Sequence, residues 1–482
     1  MPPHLVRQVG LYAVANGVPA LVNFAGIALL TRLLEPEEYG RYALLVATVA
    51  VVNAVGFQWL RSGARRFLAA YHGQREELLP ALGAGYAAVF LGIAVVTLAF
   101  ALWLDERAWL APSGLALALL LAQTWYELNA EFVLADVNPV RYGAAGLTRA
   151  AVFVTLAALL ASAGLGASGV LLAAIAGYAL PGAGLTLFYW RGLRRLAPSR
   201  PVLRTLTAYG IPLTASYGLQ FVMDFGDRLL LGWLRDPAAV GVYAVAYDLT
   251  QQTLNILLIV VNLAAVPLAV QALETGGAAA ATARLRQQAV LLALLGIPGA
   301  VGFGVLAPEI GATLLGREFS AAAARLVPVI AIGAFCCGFK AFYFDLAFQL
   351  AKDTRPLVWI GAVGAALNVG LNLLLIPRHG PLGAAWATAI TFGVAVGLSA
   401  RLGLRRFHLP LPWWDWGKIA FITLLMVVVV RFAARGPATG VALALPLASG
   451  LVTVAAGAIA LDVGGVRQWL RREGGVTEGA TQ

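Results

Sequence analysis

Leu34-Glu35-Pro36-Glu37-Glu38-Tyr39-Gly40-Arg41-Tyr42-Ala43 joins two long apolar runs near the N-terminus, and Arg235-Asp236-Pro237-Ala238-Ala239-Val240-Gly241-Val242-Tyr243-Ala244 joins two more. At a constant offset of 201 positions, Pro36, Gly40, Tyr42 and Ala43 fall on Pro237, Gly241, Tyr243 and Ala244. The same offset sets Asn23 on Asp224, Phe24 on Phe225, and Leu29 and Leu30 on Leu230 and Leu231. A helical hairpin repeated in a very apolar chain predicts a membrane protein of two similar halves, the plan by which many transporters place a site between repeats.

The rest of the 482-residue chain supports that reading. It is 60% hydrophobic and 12% charged, far from the composition of a soluble domain. Stretches of about 20 apolar residues predict fourteen membrane helices. The first six lie near 9–31, 40–60, 80–104, 110–134, 142–164 and 166–190. Six more lie near 206–234, 240–270, 286–306, 323–350, 357–377 and 381–400, and a last pair near 414–433 and 440–462. The expected fold is therefore an all-α integral membrane protein. It has two pseudo-symmetric six-helix lobes, at 1–200 and 201–412, an accessory pair at 413–465 and a polar tail at 466–482.

Charge placement gives an orientation. Arg191, Arg194, Arg195, Arg200 and Arg204 crowd one connection and Arg61, Arg65, Arg66 and Arg75 another, while the connection at 164–169 carries no charge. By the positive-inside pattern both termini are expected in the cytoplasm. The net charge of +11 then reflects orientation and attraction to anionic headgroups, and its scatter over many connections argues against nucleic acid. The first apolar run is too long for a signal-peptide core and is expected to stay as a helix. Cys336 and Cys337 are adjacent in one apolar run, where they read as small packing residues rather than a staple or metal site.

A second pair of segments extends the repeat. Gly166-Ala167-Ser168-Gly169 matches Gly380-Pro381-Leu382-Gly383, and Val137-Asn138-Pro139-Val140 parallels Thr354-Arg355-Pro356-Leu357. Small residues at these entries let helices approach closely.

Three further stretches are distinctive: Asp227-Arg228-Leu229-Leu230-Leu231-Gly232 with Pro237 and Gly241-Val242-Tyr243-Ala244; Asn368-Val369-Gly370-Leu371-Asn372 through Pro377, with Gly380 and Gly383-Ala384-Ala385-Trp386; and the opening Leu29-Leu30-Thr31-Arg32-Leu33-Leu34 hairpin. Together they resemble the bacterial polysaccharide biosynthesis, or O-antigen-type, flippases of the multidrug/oligosaccharidyl-lipid/polysaccharide (MOP) exporter superfamily. The resemblance implies fourteen helices in two lobes, and translocation of undecaprenyl-diphosphate-linked oligosaccharide across the inner membrane by alternating access. Membrane lipids are expected partners, with a polysaccharide polymerase and chain-length regulator as further candidates. No organic cofactor or metal is expected; coupling to H+ or Na+ is an open possibility.

A lipid diphosphate needs cations to offset its desolvation. The candidates are Arg149, about two turns into its helix, Lys340 near the middle of another, and Arg61, Arg65 and Arg66 at an inner helix end. The competing readings are inside-positive anchoring for Arg65 and Arg66 and snorkelling for Arg149. Asp224, Asp227 and Arg228 share one helix face, and Asp248 lies at a similar distance past the shared turn. They are candidates for ion coupling, with Asp224 foremost, or for an internal ion-pair network joining Arg228 to Asp248. Glu127 and Glu131, also one turn apart, and Asp345 favour simple pairing with basic neighbours. Asn368 and Asn372 suit interhelical hydrogen bonds. Trp413-Trp414-Asp415-Trp416 suits a membrane-interface belt.

Two other function classes compete. A cation-coupled multidrug antiporter of the same superfamily would want an acidic cavity, whereas Arg149 and Lys340 are basic. A membrane glycosyltransferase or polymerase could use Glu35, Glu37 and Glu38, but the second copy of that loop keeps only the turn residues.

Overall fold

The computed structural model describes residues 3–68, 75–103, 110–191, 193, 197–434 and 443–467. Arg194, Arg195 and the expected polar tail beyond Arg467 lie outside them. Among the described residues there is no strand. The helices are α1 (Pro3–Leu33), α2 (Pro36–Phe67), α3 (Arg75–Trp103), α4 (Leu110–Ala135), α5 (Pro139–Ser162), α6 (Gly166–Tyr189) and α7 (Arg200–Leu234). There follow α8 (Pro237–Val305), α9 (Ala307–Leu314), α10 (Arg317–Phe339), a π-helical turn (Lys340–Phe344) and α11 (Leu346–Leu350). The chain closes with α12 (Arg355–His379), α13 (Pro381–Gly403), α14 (Trp413–Ala433) and α15 (Ala444–Ala460).

Each of the fourteen expected runs coincides with helix over its described residues; residues 104 and 440–442 lie outside them. Ten helices among the described residues are long and apolar enough to cross a membrane, and the protein is an all-α, multi-pass membrane protein. That ten counts α8 once, although it holds two runs, and omits α4, α7 and the 17-residue α15. As a straight rod the 69 residues of α8 would reach about 100 Å, some three times the hydrocarbon thickness. The helix instead breaks at Gly277, whose φ of 73° suits glycine. Its arms fold back on one another: Cβ atoms built at Gly299 would stand 3.3 Å from Leu257 and 3.4 Å from Leu254.

The chain packs as two compact units, 1–244 and 245–482. In the first, α1 lies on α5, α5 on α6, α6 on α4, α4 on α2, and α2 on α7. The α2–α7 pair is antiparallel, since Gly232 late in α7 meets Leu44 early in α2, while Leu206 meets Gly63. One turn on from Leu206, Gly210 lies against the Trp59 backbone, with no room for a side chain. The core around this pair includes Phe57, Leu60, Leu82, Leu128, Phe132 and Leu206. In the second unit α12 packs on α13, α13 on α10, and α14 on α15. Asn372 donates to Asn368 at 3.0 Å and Asn368 to Thr388 at 3.5 Å, forming a polar seam between α12 and α13.

Both repeated turns have the same conformational need. Gly166 and Gly380 open α6 and α13 at φ of 51° and 57°, where a Cβ would be strained. At the first repeated loop, Pro36 and Pro237 each supply the first helical residue, where a missing N–H costs nothing.

Trp413 and Trp414 point outward, in keeping with an interfacial belt, whereas Asp415 is buried. It accepts from the Gly464 amide at 3.1 Å and Arg286 at 3.2 Å, which pins α14 to α8 and to the turn after α15. Cys336 and Cys337 are half-buried, unbridged thiols on α10.

Candidate polar site of the first unit

Helical spacing builds the centre of the first unit. Arg61 and Arg65 are one turn apart on α2, and Glu127 and Glu131 one turn apart on α4, so two packed helices form a two-rung ladder. Arg65 holds Glu131 by a two-point fork, Nε to Oε2 at 2.9 Å and Nη2 to Oε1 at 2.5 Å. Arg61 pairs with Glu127 and also donates to Gln58. Asn53 and Gln123 each donate to Glu127, at 2.9 and 3.0 Å, so that this carboxylate collects three donor side chains. The rungs differ in depth: the Arg61 side chain is 13% exposed and that of Arg65 is 61%. Arg61 is therefore a component of the interior, while Arg65 reaches the surface.

Arg149 enters the same region from α5. Its guanidinium lies 5.3 Å from the Tyr178 ring centroid, and Tyr178 packs against Tyr126, the neighbour of Glu127, at 5.6 Å. A half-buried guanidinium over an aromatic face is stabilised without neutralisation. No acid pairs with Arg149 among the described residues. Arg66 likewise has no ion-pair partner there, but it is exposed at the helix end. The ladder is thus internally neutral, and Arg149 is the surplus positive charge beside it.

The other sequence-selected residues fall elsewhere. Lys340 opens the π-helical turn of the second unit and pairs with Asp345 at 2.6 Å; Asp345 also accepts from Ser399 at 2.8 Å. The backbone repeats that geometry, since the Asp345 amide donates to the Lys340 carbonyl at 2.9 Å. A π turn brings positions i and i+5 together, which an α-helix would not. Asp224 accepts from Gln220 at 3.0 Å on the same helix. Asp227 is fully buried and accepts from the Tyr243 hydroxyl, and Arg228 lies 5.2 Å from the Phe225 ring. Asp248 is half-buried on α8. Asn53, Gln58 and Gln123 escaped the sequence reading, although each lies three to eight positions from a flagged charge on its own helix.

The acids of the first loop have structural partners. Glu38 accepts from the Ala167 amide at 2.6 Å, where α6 begins, and both Glu37 and Glu38 pair with Arg41. Among the described residues no group of three or more His, Cys, Asp or Glu could hold a metal ion.

Comparison with solved structures defines the class of fold. The chain is similar to a lipid II flippase MurJ in an inward closed conformation, with a TM-score of 0.77 and 12% identity over 94% of this chain and 98% of that one. It is similar also to an inward-facing multidrug resistance MATE family transporter of the MOP superfamily, with a TM-score of 0.66 and 14% identity, covering 82% and 98%. A MOP superfamily transporter from Pyrococcus furiosus gives 0.56 and 13%, covering 83% and 94%. The fold is thus the MOP transporter fold. Residues 29–324 match the family of polysaccharide biosynthesis proteins, and the chain belongs to that family. No curated protein matches it in sequence. The three solved structures that share this fold are a flippase and two transporters.

Proposed function

We propose that this protein is a flippase. It moves undecaprenyl-diphosphate-linked oligosaccharide from the inner to the outer leaflet of the bacterial plasma membrane, for O-antigen, capsule or exopolysaccharide synthesis. Both termini are cytoplasmic in this reading, and transport proceeds by alternating access. The observation that carries it is Arg149: a half-buried guanidinium in a neutral polar network, held on an aromatic ring and lacking an acid among the described residues. Such a cation offsets the desolvation of a diphosphate. Arg61 and Arg65 can exchange a carboxylate for a phosphate oxygen, since the fork geometry suits both. Arg66 meets the headgroup at the surface, and Lys340 contributes only on leaving Asp345.

Membership of a polysaccharide biosynthesis family and likeness to a lipid II flippase support this choice of substrate class. Mass spectrometry of lipid-linked oligosaccharides in a deletion strain tests it. Build-up of an undecaprenyl-diphosphate glycan, reversed by the restored gene, is expected. An unchanged pool would overturn the reading. If the deletion strain were also newly sensitive to cationic dyes, the antiporter reading would replace it, with Asp224, which accepts a hydrogen bond from Gln220, as its coupling acid.

A further inference from the structure

Where α2 ends and α7 begins, an open pocket of about 830 Å3 is lined by Phe67, Arg200, Arg204, Thr205 and Tyr209, among others. Its volume lies within the range of small-ligand sites. Arg200 and Arg204 are one turn apart on α7 and exposed. Neither guanidinium has a partner among the described residues, and no acid lines the pocket. Phe67 and Tyr209 meet edge to face, 5.5 Å between centroids, and form an aromatic wall beside the two cations.

The pocket therefore has one polar end of uncompensated positive charge and one apolar wall. That is complementary to an amphiphile with an anionic phosphate at one end and hydrocarbon at the other. Guanidinium forks match phosphate oxygens in geometry as well as in charge. Simple inside-positive anchoring would explain exposed arginines, but not their convergence on a concave site with paired rings. We propose that this pocket binds an anionic glycerophospholipid of the surrounding leaflet, as a site separate from the Arg149 network. The assignment does not depend on which substrate the protein moves. A bound phospholipid here would fasten the α2–α7 pair to the membrane at one end.

Native mass spectrometry of the purified full chain, with phosphatidylglycerol and phosphatidylethanolamine supplied in equal amounts, tests the proposal. Retention of phosphatidylglycerol is expected to exceed that of phosphatidylethanolamine by roughly tenfold. Arg200→Gln/Arg204→Gln should abolish the preference, and Arg200→Lys/Arg204→Lys should keep most of it. Ala208→Trp, which fills the pocket and leaves both arginines in place, should also abolish it, and decides the matter if the Gln pair folds poorly. An undiminished preference in the Gln pair and in Ala208→Trp would overturn the proposal. So would retention of undecaprenyl diphosphate instead of phosphatidylglycerol when the wild type is given both in equal amounts, which would give the pocket to the substrate lipid.

Discussion

Gly40 and Gly241 set each other's steric limit. A Cβ on Gly40 would overlap the Pro237 carbonyl oxygen and stand 2.9 Å from the Gly241 nitrogen; one on Gly241 would overlap the Pro36 carbonyl oxygen and stand 2.9 Å from the Gly40 nitrogen. The obstructing atoms are backbone, which cannot step aside as a flexible side chain can. Gly40→Ala and Gly241→Ala are each expected to destabilise the protein by about 1–3 kcal/mol, the usual cost of overpacking. Gly92→Ala and Gly184→Ala, with nothing within 4 Å of the added atom, serve as controls. Thermal unfolding of the four purified variants checks this, and equal midpoints across the set would refute the contact.

The Arg61–Glu127 rung should behave as a coupled pair. Arg61→Gln removes the countercharge from a carboxylate that is 24% exposed, and Glu127→Gln removes it from a guanidinium that is 13% exposed. A double-mutant cycle on unfolding free energy is expected to give a coupling of about 1–3 kcal/mol. Additivity within about 0.5 kcal/mol would show that the two do not interact in the working protein.

Lys340 separates folding from transport. Lys340→Ala leaves Asp345, 8% exposed, with Ser399 as its partner, and should destabilise the fold by the several kcal/mol typical of a broken buried pair, lowering the yield of folded protein. Lys340→Met/Asp345→Leu removes both charges and should recover that yield. If the recovered variant exports glycan normally in the deletion strain, Lys340 is not a substrate ligand.

Arg149 should divide the other way. Arg149→Ala is expected to fold normally and to lose export of the lipid-linked glycan, because its ring contact contributes only about 0.5–2 kcal/mol. Arg149→Lys keeps the charge without the fork and should retain part of the activity. Full export by Arg149→Ala would remove this residue from the substrate path.

Asp224→Asn tests coupling. Gln220 on the same helix donates to the carboxylate at 3.0 Å. Export by the variant is expected to become less sensitive to external pH or sodium at unchanged folded yield. An unaltered response to both would end its coupling role.

Helix number and placement were legible in the sequence because apolar length is a strong, local signal. The Gly277 break could also be inferred there, since no 69-residue helix fits a bilayer. The Arg61–Glu127 and Arg65–Glu131 rungs were half legible: i,i+4 spacing gave each helix its face, but only packing of α2 on α4 brings the faces together. The Lys340–Asp345 pair depends on a π turn, and nothing in the residues of Lys340–Phe344 announces one. The repeat places a boundary near residue 200, whereas the compact units divide at 244. The first follows the sequence repeat; the second follows α7, which packs along α2 through close approaches at Gly63, Gly210 and Gly232. Contacts distant in sequence leave no periodic trace.

The Gly40–Gly241 contact has one more consequence. Pro36 corresponds to Pro237 and Gly40 to Gly241, and each glycine meets the proline of the opposite copy. A surface that touches its own duplicate in this reciprocal way is isologous, the geometry of a two-fold homodimer. The single chain therefore preserves, as an internal crossing, an interface that two identical shorter subunits would form. In such a dimer one glycine substitution would strike both sides at once; in the fused chain the two sides are free to diverge.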